Sequence, residues 1–199
     1  GEETYIEIGF FGGSFTGIDK EEQISFLRTA DEYIKNGRVK SIRLSTRPDY
    51  INEQILDYLQ AYNVKTIELG AQSLDLEVLR ISCRGHGIDA VENASRLIKK
   101  YGFELGIQTM IGLPGDNRDK DIQTARKVAE IKPSIVRIYP ALVIRDTYME
   151  KMYKRGSYLP LSLAAAVDIC SELMDIYEEN GINVIRVGLQ PTDTINENM

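Results

Sequence analysis

The chain has 199 residues, of which 43% are apolar and 27% charged, with a formal net charge of −6. This suits one soluble globular domain able to bury about 70% of its unfolded surface. No apolar run approaches the roughly 20 residues that cross a bilayer, and the acidic balance weighs against a nucleic-acid grip made by bulk charge alone.

In chain order, "TYIEIGFF" (4–11) is apolar and β-rich and reads as a strand. "KEEQISFLRTADEYIKNG" (20–37) carries a helical apolar stripe closed by Gly37. A strand at 39–45 precedes a helix at 52–63 with Asn52 as N-cap, and a further strand covers 64–70. Helices follow at 74–82 and 87–102, then a strand at 104–115 that runs into a Gly-Pro-Gly turn, and a helix at 119–132. The last elements are a strand at 134–143, a long helix at 162–181 and a strand at 182–189. The polar "QPTDTINENM" (190–199) is expected to fray, and residues 1–199 form a single domain.

Strands alternating with helices give βαβ units and a parallel sheet. The strands look near-continuously apolar, as when both faces are covered. An open doubly wound sheet and a barrel both fit this alternation. Small, polar and proline residues collect after nearly every strand: "GGSFTG", "STRPD", "GAQS", "GLPGD", "YPALV" and "GLQP". A doubly wound sheet concentrates its site at one switch point, whereas a barrel builds it from all the βα loops, so this distribution favours a barrel or partial barrel.

Each motif alone has a plain structural reading. "GGSFTG" and "GLPG" are turns, and Gln72 with Ser73 can cap the following helix. Arg84 can pair with a surface carboxylate, His86 reads as a structural hydrogen-bonder, and Cys83 as a buried inert thiol. "KMYKRGSY" (151–158) is either a solvated helix end or an RNA contact in which Tyr153 and Tyr158 stack between basic residues. The two cysteines, Cys83 and Cys170, show no CxxC spacing, and without an export signal a reduced cytoplasmic thiol is expected.

Taken together, the ordered set "FFGGSFT … LSTRPD … IELGAQS … RGH … GIQTMIGLPGD … VRIYPALVIRDT" resembles the radical S-adenosylmethionine (SAM) superfamily. It is nearer to the radical-SAM domain of Elongator catalytic subunits than to oxygen-independent coproporphyrinogen oxidases. The resemblance implies an α/β fold, a partial (β/α)6 TIM-like barrel, with SAM and a [4Fe–4S] cluster as cofactors. It implies that backbone carbonyls at Gly12, Gly13 and Ser14 receive the amino group of SAM. Ser45 falls where some members place a carboxylate near SAM. Gln72 and Ser73 lie beside the ribose and methionine part, and Arg84 pairs with the SAM carboxylate. Gln108 stands in place of an aspartate near the ribose; Met110, Ile111 and Gly112 flank the adenine, and Pro140 approaches it.

The resemblance further implies reductive cleavage of SAM to a 5′-deoxyadenosyl radical for hydrogen abstraction. An electron donor such as flavodoxin or ferredoxin, a tRNA substrate and a cytoplasmic location belong to the same reading. A porphyrinogen substrate, a non-catalytic SAM- or RNA-binding barrel, and an unrelated barrel binding a phosphorylated metabolite are the alternatives. One departure stands out. The family's CxxxCxxC loop lies after a strand preceding "GFFGGS", and this sequence has no such motif. With no initiator Met, the expectation is that the first strand and its cysteine loop have been removed. That removal would leave the strand at 4–11 as an exposed edge prone to self-pairing, and the chain alone inactive.

Overall fold

A computed structural model describes residues 5–189. Six strands form one sheet: β1 (Glu7–Phe10), β2 (Ser41–Thr46), β3 (Val64–Gln72), β4 (Glu104–Ile111), β5 (Ile135–Pro140) and β6 (Asn183–Val187). Their order in the sheet is their order in the chain. That excludes the doubly wound alternative, in which the order reverses at a switch point. The helices are α1 (Lys20–Lys35), α2 (Glu53–Ala61), α3 (Leu76–Ile81), α4 (Ile88–Lys100), α5 (Arg118–Ile131), α6 (Tyr148–Lys154) and α7 (Leu163–Glu179). Among the described residues no helix is long and apolar enough to cross a membrane. The expected fraying at 190–199, and the "QP" that follows the last strand, lie outside the described residues.

The described residues fall into two compact units, 5–71 with 89–107, and 72–88 with 108–189. In the first unit β1 pairs parallel to β2, and β2 to β3. Ile42, Leu44, Ile67 and Leu69 are fully buried with Leu27 of α1, Leu56 and Leu59 of α2 and Ile98 of α4. Each such side chain contributes about 1.5–3 kcal/mol of burial. In the second unit β5 pairs parallel to β6, α5 packs on α7, and Val136, Ile138, Val128, Leu173 and Tyr177 are buried.

Side-chain caps start most helices, as their sequences require. Asn52 accepts the Ile55 amide at 2.9 Å, Asp75 that of Val78 at 2.9 Å, Asn117 that of Lys120 at 3.0 Å and Ser162 that of Ala165 at 3.2 Å.

Several expectations are corrected. The strand expected over 104–115 ends at Ile111, because Gly112 turns to a φ of +69°. The strand expected over 64–70 continues through Gln72. Helix α6 was not foreseen as an element of its own. The strands of the first unit are not apolar on both faces: Ser41, Arg43, Ser45, Thr66 and Glu68 occupy one face of β2 and β3, with Arg43 beside Thr66 and Ser45 beside Glu68 in register. Arg43 lies 3.1 Å from Glu7 and 3.4 Å from the buried Glu68. A charged residue sits on a strand interior when partners of opposite charge lie diagonally beside it on the same face.

Candidate functional site

In the first unit the chain leaves β1 through Phe11 into Gly12, whose φ of +102° suits glycine. A Cβ built on Gly12 or Gly13 would meet nothing within 4 Å. The conformation therefore explains Gly12, while both residues present bare backbone to open space. Beside them lies a groove of about 390 Å³, walled by Phe10, Phe11, Phe15 and Phe26 and floored by Gly12, Gly13 and Ser14. Phe10 and Phe15 stack at 4.9 Å. The turn is tied to the next strand end. Ser45 donates to the Gly13 carbonyl in a long hydrogen bond of 3.4 Å. Thr16 meets Thr46 at 2.6 Å and donates to the Tyr50 carbonyl at 2.9 Å. Arg47 pairs with Asp49 at 2.7 Å and lies over the Tyr50 ring. Two expected site positions, Gly13 and Ser45, are thus in contact.

In the second unit Gln72 closes β3 with a φ of +67°, uncommon for a side chain of its size. Its Oε1 accepts from Gln108 Nε2 at 3.3 Å, joining two more expected positions. Ser73 is buried: its Oγ lies 3.3 Å from Thr124 Oγ1 and accepts the Asp75 amide at 3.2 Å. Neither Gln72 nor Ser73 caps α3; Asp75 does. Arg84 is half-buried and sits between Cys83 and Gly85, with φ of +54° and +78°. Ile111 accepts the Ala141 amide at 2.9 Å, which sets Ile111 against the residue after Pro140. Half-buried Met110 packs with Val78, Leu113, Ala141 and Met149.

The turn after β4 is enclosed. The Asp116 amide donates to the Leu113 carbonyl at 2.9 Å, with Pro114 and then Gly115 (φ +85°) between them, as a type II turn demands. A Cβ on Gly112 would fall 2.6 Å from Leu161, and one on Gly115 2.6 Å from Ile81. The Gly112 carbonyl accepts the Tyr158 hydroxyl at 2.7 Å. The Asp116 and Asp121 carboxyls, at the end of this turn and in the first turns of α5, interact with each other. Burial, and then the neighbouring Asp116 carboxylate, push Asp121 up to about 9; burial also raises Asp116. Carboxylates at the start of α5 oppose an anion there, which counts against the phosphorylated-metabolite alternative.

Three sequence-based readings change. Tyr158 is 8% exposed and engaged with Gly112, so it does not stack on RNA, whereas Tyr153 is 49% exposed. Lys154 of the same basic stretch pairs with Glu150 at 2.7 Å. Cys83 is exposed rather than buried, because it lies in the left-handed turn after α3; Cys170 is buried on α7, and both are free. Asp121 and the Arg43–Glu68 pair were not singled out from sequence. A second aspartate five residues after the one in "GLPGD" was the only available signal.

A [4Fe–4S] cluster held by three thiolates does not fit this chain. It has two cysteines, and among the described residues no group of three His, Cys, Asp or Glu side chains could hold a metal. The bare backbone at Gly12 and Gly13, by contrast, fits close approach by a ligand.

Residues 2–128 match the radical SAM superfamily and residues 133–198 the radical SAM C-terminal domain. The chain is 29% identical over 186 residues to the tRNA uridine(34) acetyltransferase of Methanocaldococcus jannaschii, covering 83% of this chain and 34% of that protein. It therefore spans about a third of that curated relative's length. Among solved structures it is similar to the archaeal Methanocaldococcus infernus Elp3 with an N-terminus deletion, at a TM-score of 0.86 and 25% identity over 97% of this chain and 50% of that one. It is also similar to coproporphyrinogen III oxidase from Escherichia coli, a radical SAM enzyme, at a TM-score of 0.68 and 20% identity over 88% of this chain and 40% of that one. The fold is accordingly the α/β partial (β/α)6 barrel that the resemblance implied, in line with the barrel or partial barrel favoured by the strand ends. Radical SAM proteins use SAM and a [4Fe–4S] cluster, and this chain belongs to the radical SAM superfamily.

Proposed function

We propose that the chain is the SAM-cradling part of a radical SAM enzyme that acts on tRNA. The observation that carries this reading is the place of the expected residues. Gly12, Gly13, Ser14, Ser45, Gln72, Gln108, Met110, Ile111 and Pro140 all lie at or just past the second half of a strand, and within each unit they contact one another or close neighbours. The C-terminal ends of barrel strands are where such folds bind their ligands.

In this reading the backbone carbonyls at Gly12 to Ser14 take the amino group of SAM, and Ser45 holds the Gly13 carbonyl in place. Arg84 pairs with the SAM carboxylate. Gln72 and Gln108, already bonded to each other, face the ribose, with Ser73 anchoring the strand end behind them. The backbone at Met110 and Ile111, braced through Ala141 beside Pro140, flanks the adenine. The cofactors, when bound, supply a 5′-deoxyadenosyl radical for hydrogen abstraction. The thiolates of the cluster lie outside these 199 residues, so the chain by itself does not cleave SAM. A flavodoxin- or ferredoxin-type donor delivers the electron, in the cytoplasm.

The tRNA substrate rests on the relatives' activity. Tyr153 and the basic residues Lys151 and Arg155 supply an aromatic-and-cationic surface of the type that single-stranded RNA uses. A second reading, a SAM-holding module without catalysis, is favoured by the count of two cysteines.

The test is SAM binding to the 199-residue chain, followed by amide chemical shifts. Perturbations at Gly12 to Ser14 and at Gln72, Gln108 and Ile111 are expected together. Saturable binding that leaves either set unmoved would overturn the assignment.

A further inference from the structure

The Asp116–Asp121 contact poses a problem of valence. Asp116 Oδ1 accepts the Asn117 amide at 2.9 Å. The Leu113 amide favours charge on Asp116 and the Gly112 amide favours charge on Asp121. The two remaining oxygens, Asp116 Oδ2 and Asp121 Oδ2, are buried and have no hydrogen-bond donor. Two buried carboxylate oxygens cannot face each other bare, since both accept and both carry charge. A single proton between the carboxyls supplies the absent donor and removes one of the two charges.

The surroundings point the same way. On α5 itself, among the described residues, Lys120 is the cation acting on Asp116. Its Nζ is drawn off to Glu77 at 2.6 Å, Asp75 at 3.6 Å and the Gly115 carbonyl at 2.8 Å. Arg118, also on α5, is paired with Asp168 and Glu172 of α7. The segment after α6 presents the Tyr158 hydroxyl, which donates to the Gly112 carbonyl, and on α7 the Cys170 thiol feels the Asp121 charge. None of these is a cation free to neutralise the pair.

We propose that Asp116 and Asp121 share one proton at neutral pH, and that this proton latches the Gly112–Asp116 turn by letting the two buried carboxyls stay together against it, with Asp116 holding the Asn117 amide. The aspartates are positioning residues, acting on the backbone of the turn. Removing the proton leaves two facing carboxylates, and the repulsion is relieved by opening the turn. On the reading proposed above the same backbone flanks adenine, so SAM affinity would follow the proton; the latch itself does not rest on that reading.

Carboxyl-carbon NMR of the 199-residue chain tests the shared proton, and amide hydrogen exchange tests the latch. In the wild type, one of the two carboxyls is expected to titrate far above the ordinary range, near the value of about 9 noted for Asp121. Asp116→Asn should bring the Asp121 midpoint down, because the asparagine amide donates where the proton did, while burial still holds it above the ordinary carboxylate range. Protection of the Gly112 and Leu113 amides, corrected for intrinsic exchange, should fall by about tenfold per pH unit from pH ~5.5 to ~8.5 in the wild type. It should be flat in Asp121→Asn, which keeps a donor, and weak at every pH in Asp121→Ala, which does not. Both carboxyls titrating below pH ~5, or protection with the same pH profile in the wild type and Asp121→Asn, would overturn the proposal. Should the variants fail to fold, the wild-type titration decides alone.

Discussion

The turns after β1 and β4 both rely on glycine, and they use it for opposite purposes. At Gly12 and Gly13 nothing occupies the space a side chain would fill, and the bare backbone borders an aromatic-walled groove. At Gly112 and Gly115 that space is taken by Leu161 and Ile81, and the Gly112 carbonyl is held by the Tyr158 hydroxyl. On the proposed reading, one turn is bare so that a ligand can approach it; the other is bare because its own protein already fills the space. The difference separates affinity from stability, and substitutions at the two turns should divide accordingly.

The largest effect is expected at the enclosed turn. Gly112→Ala must adopt a φ of +69° and displace Leu161. Left-handed strain of about 1–2 kcal/mol and overpacking of about 1–3 kcal/mol add to a loss of about 2–5 kcal/mol, measurable by denaturant unfolding.

Next, taken per pH unit, comes the pH dependence of stability. Asp121 binds its proton more tightly folded than unfolded, so its contribution is full below the unfolded value of 3.8 and is lost as pH rises towards about 9. Across that window stability should fall with rising pH at up to about 1.4 kcal/mol per unit. Asp121→Asn should flatten the curve and be the more stable protein at pH ~8.

Smaller again is Tyr158→Phe, which removes the hydroxyl bonded to the Gly112 carbonyl. A loss of about 1 kcal/mol is expected in the same unfolding assay. The smallest stability effect belongs to Gly13→Ala at the open turn, within about 0.5 kcal/mol of wild type. Yet this change should weaken SAM binding in calorimetry, because its methyl projects into the space a ligand would use. If Gly13→Ala unfolds the protein while Gly112→Ala does not, the comparison fails.

What was legible in the sequence was mostly local. Asn52 before an apolar helical stripe is a cap wherever the chain goes, and the structure uses it so. The small and polar residues collected after the strands pointed to a barrel, and the chain-order sheet agrees. What escaped notice depends on tertiary closure. Arg43 and Glu68 look like interruptions of apolar strands until register sets them on one face. Tyr158 sits in a basic stretch that suggests exposure, and only the return of the chain over Gly112 buries it. Asp116 and Asp121 look like ordinary acids at a helix start. Their chemistry comes from being enclosed together, which neither residue signals alone.

The central claim, that these strand ends form the SAM cradle of a radical SAM enzyme, is tested most directly on the whole protein. It would be purified without oxygen and its iron–sulfur content reconstituted, then given SAM, dithionite and tRNA, with 5′-deoxyadenosine read by mass spectrometry. The account predicts product above a no-dithionite control, and much less from Gly13→Ala at equal iron and sulfide content. A protein that carries its full iron and sulfide, binds tRNA and still forms no 5′-deoxyadenosine would contradict it.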